Sequence, residues 1–220
     1  MTPQLWHQIP KNHEAPFVSS IADRGVAESR ALEAAQHGDT SAFNELVLMY
    51  QTSVYNVALR TLGHSEDAAD ATQETFLAAY RAMGEFRGGS FKAWLLRIAV
   101  NTCYDLLRRK QRRPSTSLDV IVDESGDQAG FADRRVGPER AALAAETVSV
   151  VEQGLLTLPD DQRIIVVLCD VQGLSYEEAA DAEGVALGTV KSRLSRARAR
   201  LRQYLVERGE LPAELERHEL

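Results

Sequence analysis

Two long stretches of this chain repeat their apolar residues with a helical period, and almost nothing in it repeats with the period of a strand. From Ser41 to Arg113, and again from about Pro138 to Tyr204, glycine and proline are sparse inside the periodic segments and β-branched runs are rare. The one exception, RIIVVLCDV at Arg163 to Val171, follows Pro159-Asp160-Asp161, which reads as a helix N-terminus, so it reads as a buried helix. An all-α fold follows. Between the two stretches lies PSTSLDVIVDESGDQAGFAD, Pro114 to Asp133, with five acids, no base and no sustained period. That composition makes a flexible acidic linker. The expected layout is an N-terminal extension over 1–40, a helical domain over 41–113, the linker over 114–140, a second helical domain over 141–206 and a tail over 207–220. No internal repeat is present.

Charge is distributed unevenly along this layout. The formal net charge is -7, yet GTVKSRLSRARARLR, Gly188 to Arg202, carries six cations and no anion. Between Arg87 and Arg113 eight cations face one acid, Asp105. Together these windows hold 14 of the 25 Lys and Arg, so two local basic patches say more about partners than the average does. No apolar run approaches the roughly 18 residues of a membrane span. The N-terminus lacks a basic start followed by a long apolar block, which leads us to expect a cytoplasmic protein. Cys103 and Cys169 stand far apart with no histidines near them and read as small buried residues.

The second basic patch sits in LSYEEAADAEGVALGTVKSRLSRARARL, from Leu174. Ser175 with Glu178 three residues later is a capping-box pattern, and Tyr176, Ala179 and Ala180 give the helix a packing face. Gly184 breaks it. The next helix carries Val190, Leu194, Ala197 and Leu201 on one apolar stripe, which leaves Thr189, Lys191, Ser192, Ser195 and Arg196 largely on open surface near its start. Two short helices across a tight glycine turn, the second presenting cations and hydroxyls, form a helix-turn-helix. The start of its second helix enters the DNA major groove, where Arg and Lys donate to guanine and Ser or Thr reach bases or phosphates. Arg198, Arg200 and Arg202 lie farther along, better suited to phosphates. The competing reading is a solvated basic helix paired with Glu177, Glu178, Asp181 and Glu183 of its neighbour.

In the first domain, HSEDAADATQETFLAAYRAM places Ala69, Thr72, Phe76, Ala79 and Met83 on one face and Asp67, Asp70, Glu74 and Arg81 on the other. The acidic face is either simply solvated or docks a protein. In FRGGSFKAWLLRIAVNTCYDLLRRKQRR, Phe91, Leu95, Ile98, Thr102 and Leu106 form the core stripe. Arg97, Asn101, Tyr104 and Arg108 recur opposite it, with Trp94 at the border. Aromatics interleaved with Arg and Asn suit unpaired bases, since stacking contributes about 1–3 kcal/mol per base. For Trp94, core packing is the equal alternative. The loop Arg87-Gly88-Gly89-Ser90 lets backbone approach a ligand closely, and Arg108 to Arg113, including Arg109, exceed what a helix end needs in cations.

DATQETFLAAYRA, FRGGSFKAWLLRIAVNT and LSYEEAADAEGVALGTVKSRLSRAR, in this order and separation, resemble the extracytoplasmic-function sigma factors of bacterial RNA polymerase, in the sigma-70 family. The resemblance covers about 41–113 and 148–205. It implies a promoter-specificity factor without catalysis or cofactor, which binds core polymerase through the β′ clamp helices and β flap and recognises promoter DNA. Asp67, Asp70, Gln73, Glu74 and Phe76 match the clamp contact. Arg87, Gly89, Ser90, Trp94, Arg97, Asn101, Tyr104, Arg108 and Arg109 are the candidates for melting and holding the −10 element. Thr189, Lys191, Ser192, Arg193, Ser195, Arg196 and Arg198 are those for the −35 element. The acidic linker corresponds to the segment that threads toward the polymerase active site. An anti-sigma factor and a stress or envelope-signal regulon are further implications. Lys191 departs from the family's usual Arg, and one ammonium cannot make a bidentate fork. Ser195 stands where a larger residue is common, and the two termini have no family counterpart.

Other classes explain less. An autonomous helix-turn-helix regulator leaves the Arg-aromatic face and the acidic helix without a role. An RNA-binding protein would use the same stacking groups without polymerase. An enzyme finds no support, because His7, His13, His37, His64 and His218 stand outside the motifs and no phosphate loop, nucleophile elbow or metal-ligand spacing occurs.

Overall fold

A computed structural model of the chain describes residues 21–112 and 149–209. Among these the regular elements are all helical. They are α1 (Ile21–Gln36), α2 (Thr40–Leu62), α3 (Ser65–Arg81), α4 (Phe91–Arg112), α5 over 149–156, α6 (Asp160–Val166), α7 (Tyr176–Glu183) and α8 (Leu187–Glu207). A 3-10 turn, Met83–Glu85, leads toward α4, and α6 runs on into a π-helical turn, Val167–Val171, within the expected buried segment. The expected linker lies outside the described residues, as does the tail from residue 210.

Local chemistry sets the helix ends. The Asp39 carboxylate accepts the Ser41 hydroxyl and the Ser41 and Ala42 N–H groups and starts α2; these bonds, the hydroxyl's above all, hold its pKa below the ordinary value. The predicted capping box opens α7: Ser175 Oγ accepts the Glu178 N–H, and Glu178 Oε2 accepts the Ser175 N–H at 2.8 Å. Gly184 closes α7 with φ 66°, a conformation that costs any residue with a Cβ.

Helices α1–α4 form one set and α5–α8 the other. The first set differs from expectation in two places. Residues 21–36 are not a loose extension: α1 packs on α2 through buried Ala31 and Ala35, and Arg24 Nη2 donates to the Met49 carbonyl at 3.2 Å. A face of two alanines packs closely but gives almost no hydropathy signal. On α3 the buried face is Ala68, Ala71, Thr75 and Ala79, so Ala69 is exposed and Thr72 and Phe76 are only half-buried. Small side chains win this face because they let α3 lie close against α2, which the larger Phe76 would prevent.

The two sets are docked. A single apolar cluster runs from α1, α2 and α4 into α6, α7 and α8, with Phe91, Leu95, Ile164, Leu168, Leu194 and Leu201 among its fully buried side chains. Each such side chain contributes about 1.5–3 kcal/mol. Helix α7 lies along α4, and α6 meets α2. At this seam Lys92 Nζ donates to the Gln172 carbonyl at 2.5 Å, and Arg60 pairs with Glu152 at 3.2 Å. The Gly63 backbone, φ 78°, meets Leu156 so closely that a Cβ would stand 2.9 Å from its Cδ2. Cys103 is buried as expected, whereas Cys169 is only half-buried; burial pushes both thiols up to about 12.

Candidate nucleic-acid interface

The stripe predicted for α8 is buried in full: Val190, Leu194, Ala197 and Leu201, continued by Leu205. With that side fixed against α5 and α6, the opposite surface of its first turns is open. Lys191, Ser195 and Arg196 are exposed there, and Thr189 and Ser192 are half-buried, the Ser192 hydroxyl donating to the Thr189 carbonyl at 3.0 Å. Helix α7 packs behind as the supporting member of the pair. The predicted helix-turn-helix is present, with polar groups at the end of α8 that such a motif inserts into a groove.

Two cations of α8 are held by acids of their own helix set. Arg198 forms a two-pronged pair with Asp170, Nε to Oδ2 at 3.0 Å and Nη2 to Oδ1 at 2.5 Å, which raises the guanidinium's pKa. Arg193 pairs with Asp161 at 3.0 Å and with Glu183 at 3.2 Å. The alternative of pairing with the preceding helix is thus realised for Arg193 alone among the candidates. Asp161 and Asp170 went unanticipated because they lie outside the helix-turn-helix in sequence and meet α8 only through the packing of α6.

On α4 the loop before the helix holds Gly88 and Gly89 at φ 94° and 87°, with open space where a Cβ would stand. The Arg87 guanidinium donates to the Gly84 carbonyl at 3.0 Å, and Ser90 Oγ accepts the Ala93 N–H. Arg97, Asn101 and Arg109 are exposed. Arg108 pairs with Asp105 at 2.7 Å and sits 6.0 Å from the Tyr104 ring centre. Trp94 packs with Phe86 and Phe91, ring centres 5.4 Å apart, and keeps part of its surface open. Ile98, Thr102 and Leu106, predicted as core, are only half-buried, while Leu96, Ala99, Val100 and Cys103 are buried. Being packed against α2, α3 and α7, α4 buries a wider arc than one stripe. Tyr104 is half-buried, and its hydroxyl donates to Glu183 Oε2 at 3.0 Å.

On α3, Asp70, Gln73 and Glu74 are exposed, and Asp67 is half-buried in an ion pair with Lys110. Phe76 lines a groove of about 360 Å³ between α2 and α3, together with Phe43, Val47, Leu77 and Tyr80. An apolar groove beside a helix that exposes Asp70 and Glu74 suits a protein better than a nucleic acid.

Known proteins share this arrangement. The family described as sigma-70 region 2 matches residues 46–113, and sigma-70 region 4 matches residues 150–201. The RNA polymerase sigma-H factor of Pseudomonas aeruginosa is 41% identical over 176 residues, covering 78% of this chain and 90% of the relative. The chain belongs to the extracytoplasmic-function sigma factors of the sigma-70 family. The sigma-E factor of Escherichia coli K12 is also 41% identical, over 169 residues, 76% of this chain and 88% of that one. Among solved structures, CnrH in complex with the cytosolic domain of CnrY has a TM-score of 0.58 at 28% identity, covering 82% of this chain and 98% of that chain. Sigma factor RpoE in complex with the anti-sigma factor NepR, from Bartonella quintana, also scores 0.58, at 30% identity, covering 74% and 96%. As a sigma factor, the protein confers promoter specificity on RNA polymerase in transcription initiation. The described helices include none long and apolar enough to cross a membrane.

Proposed function

We propose that this sigma factor divides its work between the two helix sets. Residues 41–113 bind core polymerase and open the −10 element, residues 141–206 read the −35 element, and the acidic linker over 114–140 threads toward the polymerase active site. The reading rests on one observation above all: the first turns of α8 expose Lys191, Ser195 and Arg196 while the opposite stripe is fully buried. Arg196 donates to a base edge, Lys191 supplies a point charge to a phosphate or a guanine, and Thr189, Ser192 and Ser195 add hydroxyl contacts. Arg193 and Arg198 join them as phosphate contacts where their internal pairs release.

On the other set, Asp70, Gln73, Glu74 and the Phe76 groove dock the β′ clamp helices, with Asp67 at the edge; the second set meets the β flap. Arg87 and the Gly88-Gly89 backbone approach the opened strand, Ser90, Arg97 and Asn101 hold it, and Trp94 and Tyr104 offer stacking faces. Arg108 and Arg109 take phosphates. Unstacking costs a few kcal/mol per step, which stacking at about 1–3 kcal/mol per base and phosphate contacts offset. No step is catalytic, and the protein acts in the cytoplasm on a stress or envelope-signal regulon. An anti-sigma factor holds it silent, a reading supported by its likeness to RpoE, solved with the anti-sigma factor NepR.

Run-off transcription tests this directly. Core polymerase and pooled genomic promoter fragments, with and without the protein, should give discrete new transcripts sharing two upstream elements. No new transcripts, with tight duplex binding by the protein alone, would instead mark an autonomous regulator.

A further inference from the structure

The seam between the helix sets brings together side chains from both proposed DNA surfaces. Glu183, at the end of α7, has a side chain 2% exposed. Its Oε2 accepts the Tyr104 hydroxyl of α4 at 3.0 Å and the Arg193 Nη1 of α8 at 3.2 Å. Arg193 is braced from the far side by Asp161 of α6 at 3.0 Å. The other Glu183 oxygen, Oε1, is buried without a hydrogen-bond partner among the described residues. One carboxylate thus links the helix proposed to hold the opened strand to the helix proposed to read the duplex.

The two surfaces cannot both meet a promoter in this state. Elements centred at −10 and −35 are about 25 base pairs apart, or about 85 Å at roughly 3.4 Å per pair. Here Tyr104 and Arg193 share a single oxygen atom. We propose that Glu183 is an internal latch, an anion that occupies Tyr104 and Arg193 in place of DNA and keeps the protein closed until polymerase and promoter pull the sets apart. The inference rests on the functional reading above.

The chemistry makes the latch releasable. A buried carboxylate is favourable only while its partners satisfy it, and an orphaned oxygen leaves part of its desolvation cost uncompensated. Opening returns Glu183 to water and releases Tyr104 and Arg193 together. Lys92, donating to the Gln172 carbonyl, is a further polar tie across the same seam, beside the Arg60–Glu152 pair, and loses solvent in making it. The apolar part of the seam gives adhesion; these ties, with the Arg60–Glu152 pair, give the closed state its register, and losing one loosens it.

The test uses the full chain and the variants Glu183→Ala and Lys92→Ala. Small-angle scattering reads the radius of gyration, circular dichroism the helix content, and fluorescence anisotropy the affinity for a short mixed-sequence duplex at low salt. That probe depends on phosphate contacts and needs no knowledge of the promoter. The wild type should be compact. Each variant should keep its helix content, expand, and bind the duplex several-fold more tightly, with Glu183→Ala the stronger. A wild type already extended in solution would overturn the latch. So would a Glu183→Ala protein as compact as the wild type, or one that expands without gaining duplex affinity. Should Glu183→Ala lose helix content, Lys92→Ala carries the same three readouts. Scattering decides the latch whether or not the wild type yields promoter transcripts with core polymerase, and that run-off result alone bears on the functional reading.

Discussion

Helices α4 and α8 are near twins on paper, 22 and 21 residues long and both rich in cations, but they carry their charge differently. Helix α8 is packed on one side, and its cations alternate between two environments. Lys191 and Arg196 face outward, while Arg193 and Arg198 are fixed by Asp161, Glu183 and Asp170. Helix α4 is packed on several sides, and Lys92, near its start, is drawn into the seam while Arg108 and Lys110 at its end pair with Asp105 and Asp67. A basic helix is therefore not a uniform electrostatic surface. Which cations are available depends on where neighbouring helices place their acids.

The largest expected effect tests whether the α8 surface depends on its buried stripe. Leu201 is fully buried, so Leu201→Ala should cost about 2–5 kcal/mol in urea unfolding. Gly154→Ala attacks the same contact from α5, because the new Cβ would stand 2.5 Å from Leu201 Cδ1 and 2.9 Å from Tyr204 Cδ1. Overpacking of that kind costs about 1–3 kcal/mol. Unchanged unfolding midpoints would mean that α8 is seated by something other than this stripe.

The next pair sets an outward cation of α8 against an anchored one. Arg196→Ala should leave stability within about 0.5 kcal/mol. It should lower transcription from the cognate promoter and relax discrimination at one −35 position by about 1–3 kcal/mol. Equal loss on every promoter variant would remove its base-reading role. Asp170→Ala should do the reverse and destabilise the fold. The cost should fall below the 3–5 kcal/mol typical of fully buried pairs, about 1–2 kcal/mol, because the Arg198 side chain is 37% exposed and can turn to water. If the two substitutions have the same effect on unfolding, the distinction between outward and anchored cations fails.

The contrast also explains what was readable beforehand. One-sided packing makes the α8 stripe, the Ser175–Glu178 box and the Gly184 turn visible as local patterns, and each stands where it was read. Helices α3 and α4 are packed on more than one side, so no single stripe describes them. On α3 the buried face is carried by alanines, whose hydropathy barely separates them from their neighbours. The seam itself was invisible, since Lys92 with Gln172 and Tyr104 with Glu183 are 80 and 79 residues apart, and no local period records such a pair. Four acids of α7 were visible as possible partners of α8, but only packing selects Glu183 from among them.

The smallest effect is a dependence on pH, and it reports on the seam alone. Burial holds the Glu183 carboxyl above its ordinary 4.5, with the Tyr104 bond and Arg193 opposing and Asp161 reinforcing the rise. Burial raises Glu152 as well, against Arg60. A carboxyl whose pKa is raised by folding binds its proton more tightly in the folded state than in the unfolded one. Its contribution is complete below 4.5 and is lost as pH rises through the elevated value. Asp39, lowered by its capping bonds, acts in the opposite sense and below its ordinary 3.8, outside that window. The urea midpoint of the wild type should thus fall as pH is raised from 4.5, and Glu183→Gln, which cannot ionise but keeps an acceptor for Tyr104, should fall less steeply. Superimposable profiles would show that Glu183 takes up no extra proton on folding, and would leave Glu152 as the source of the slope.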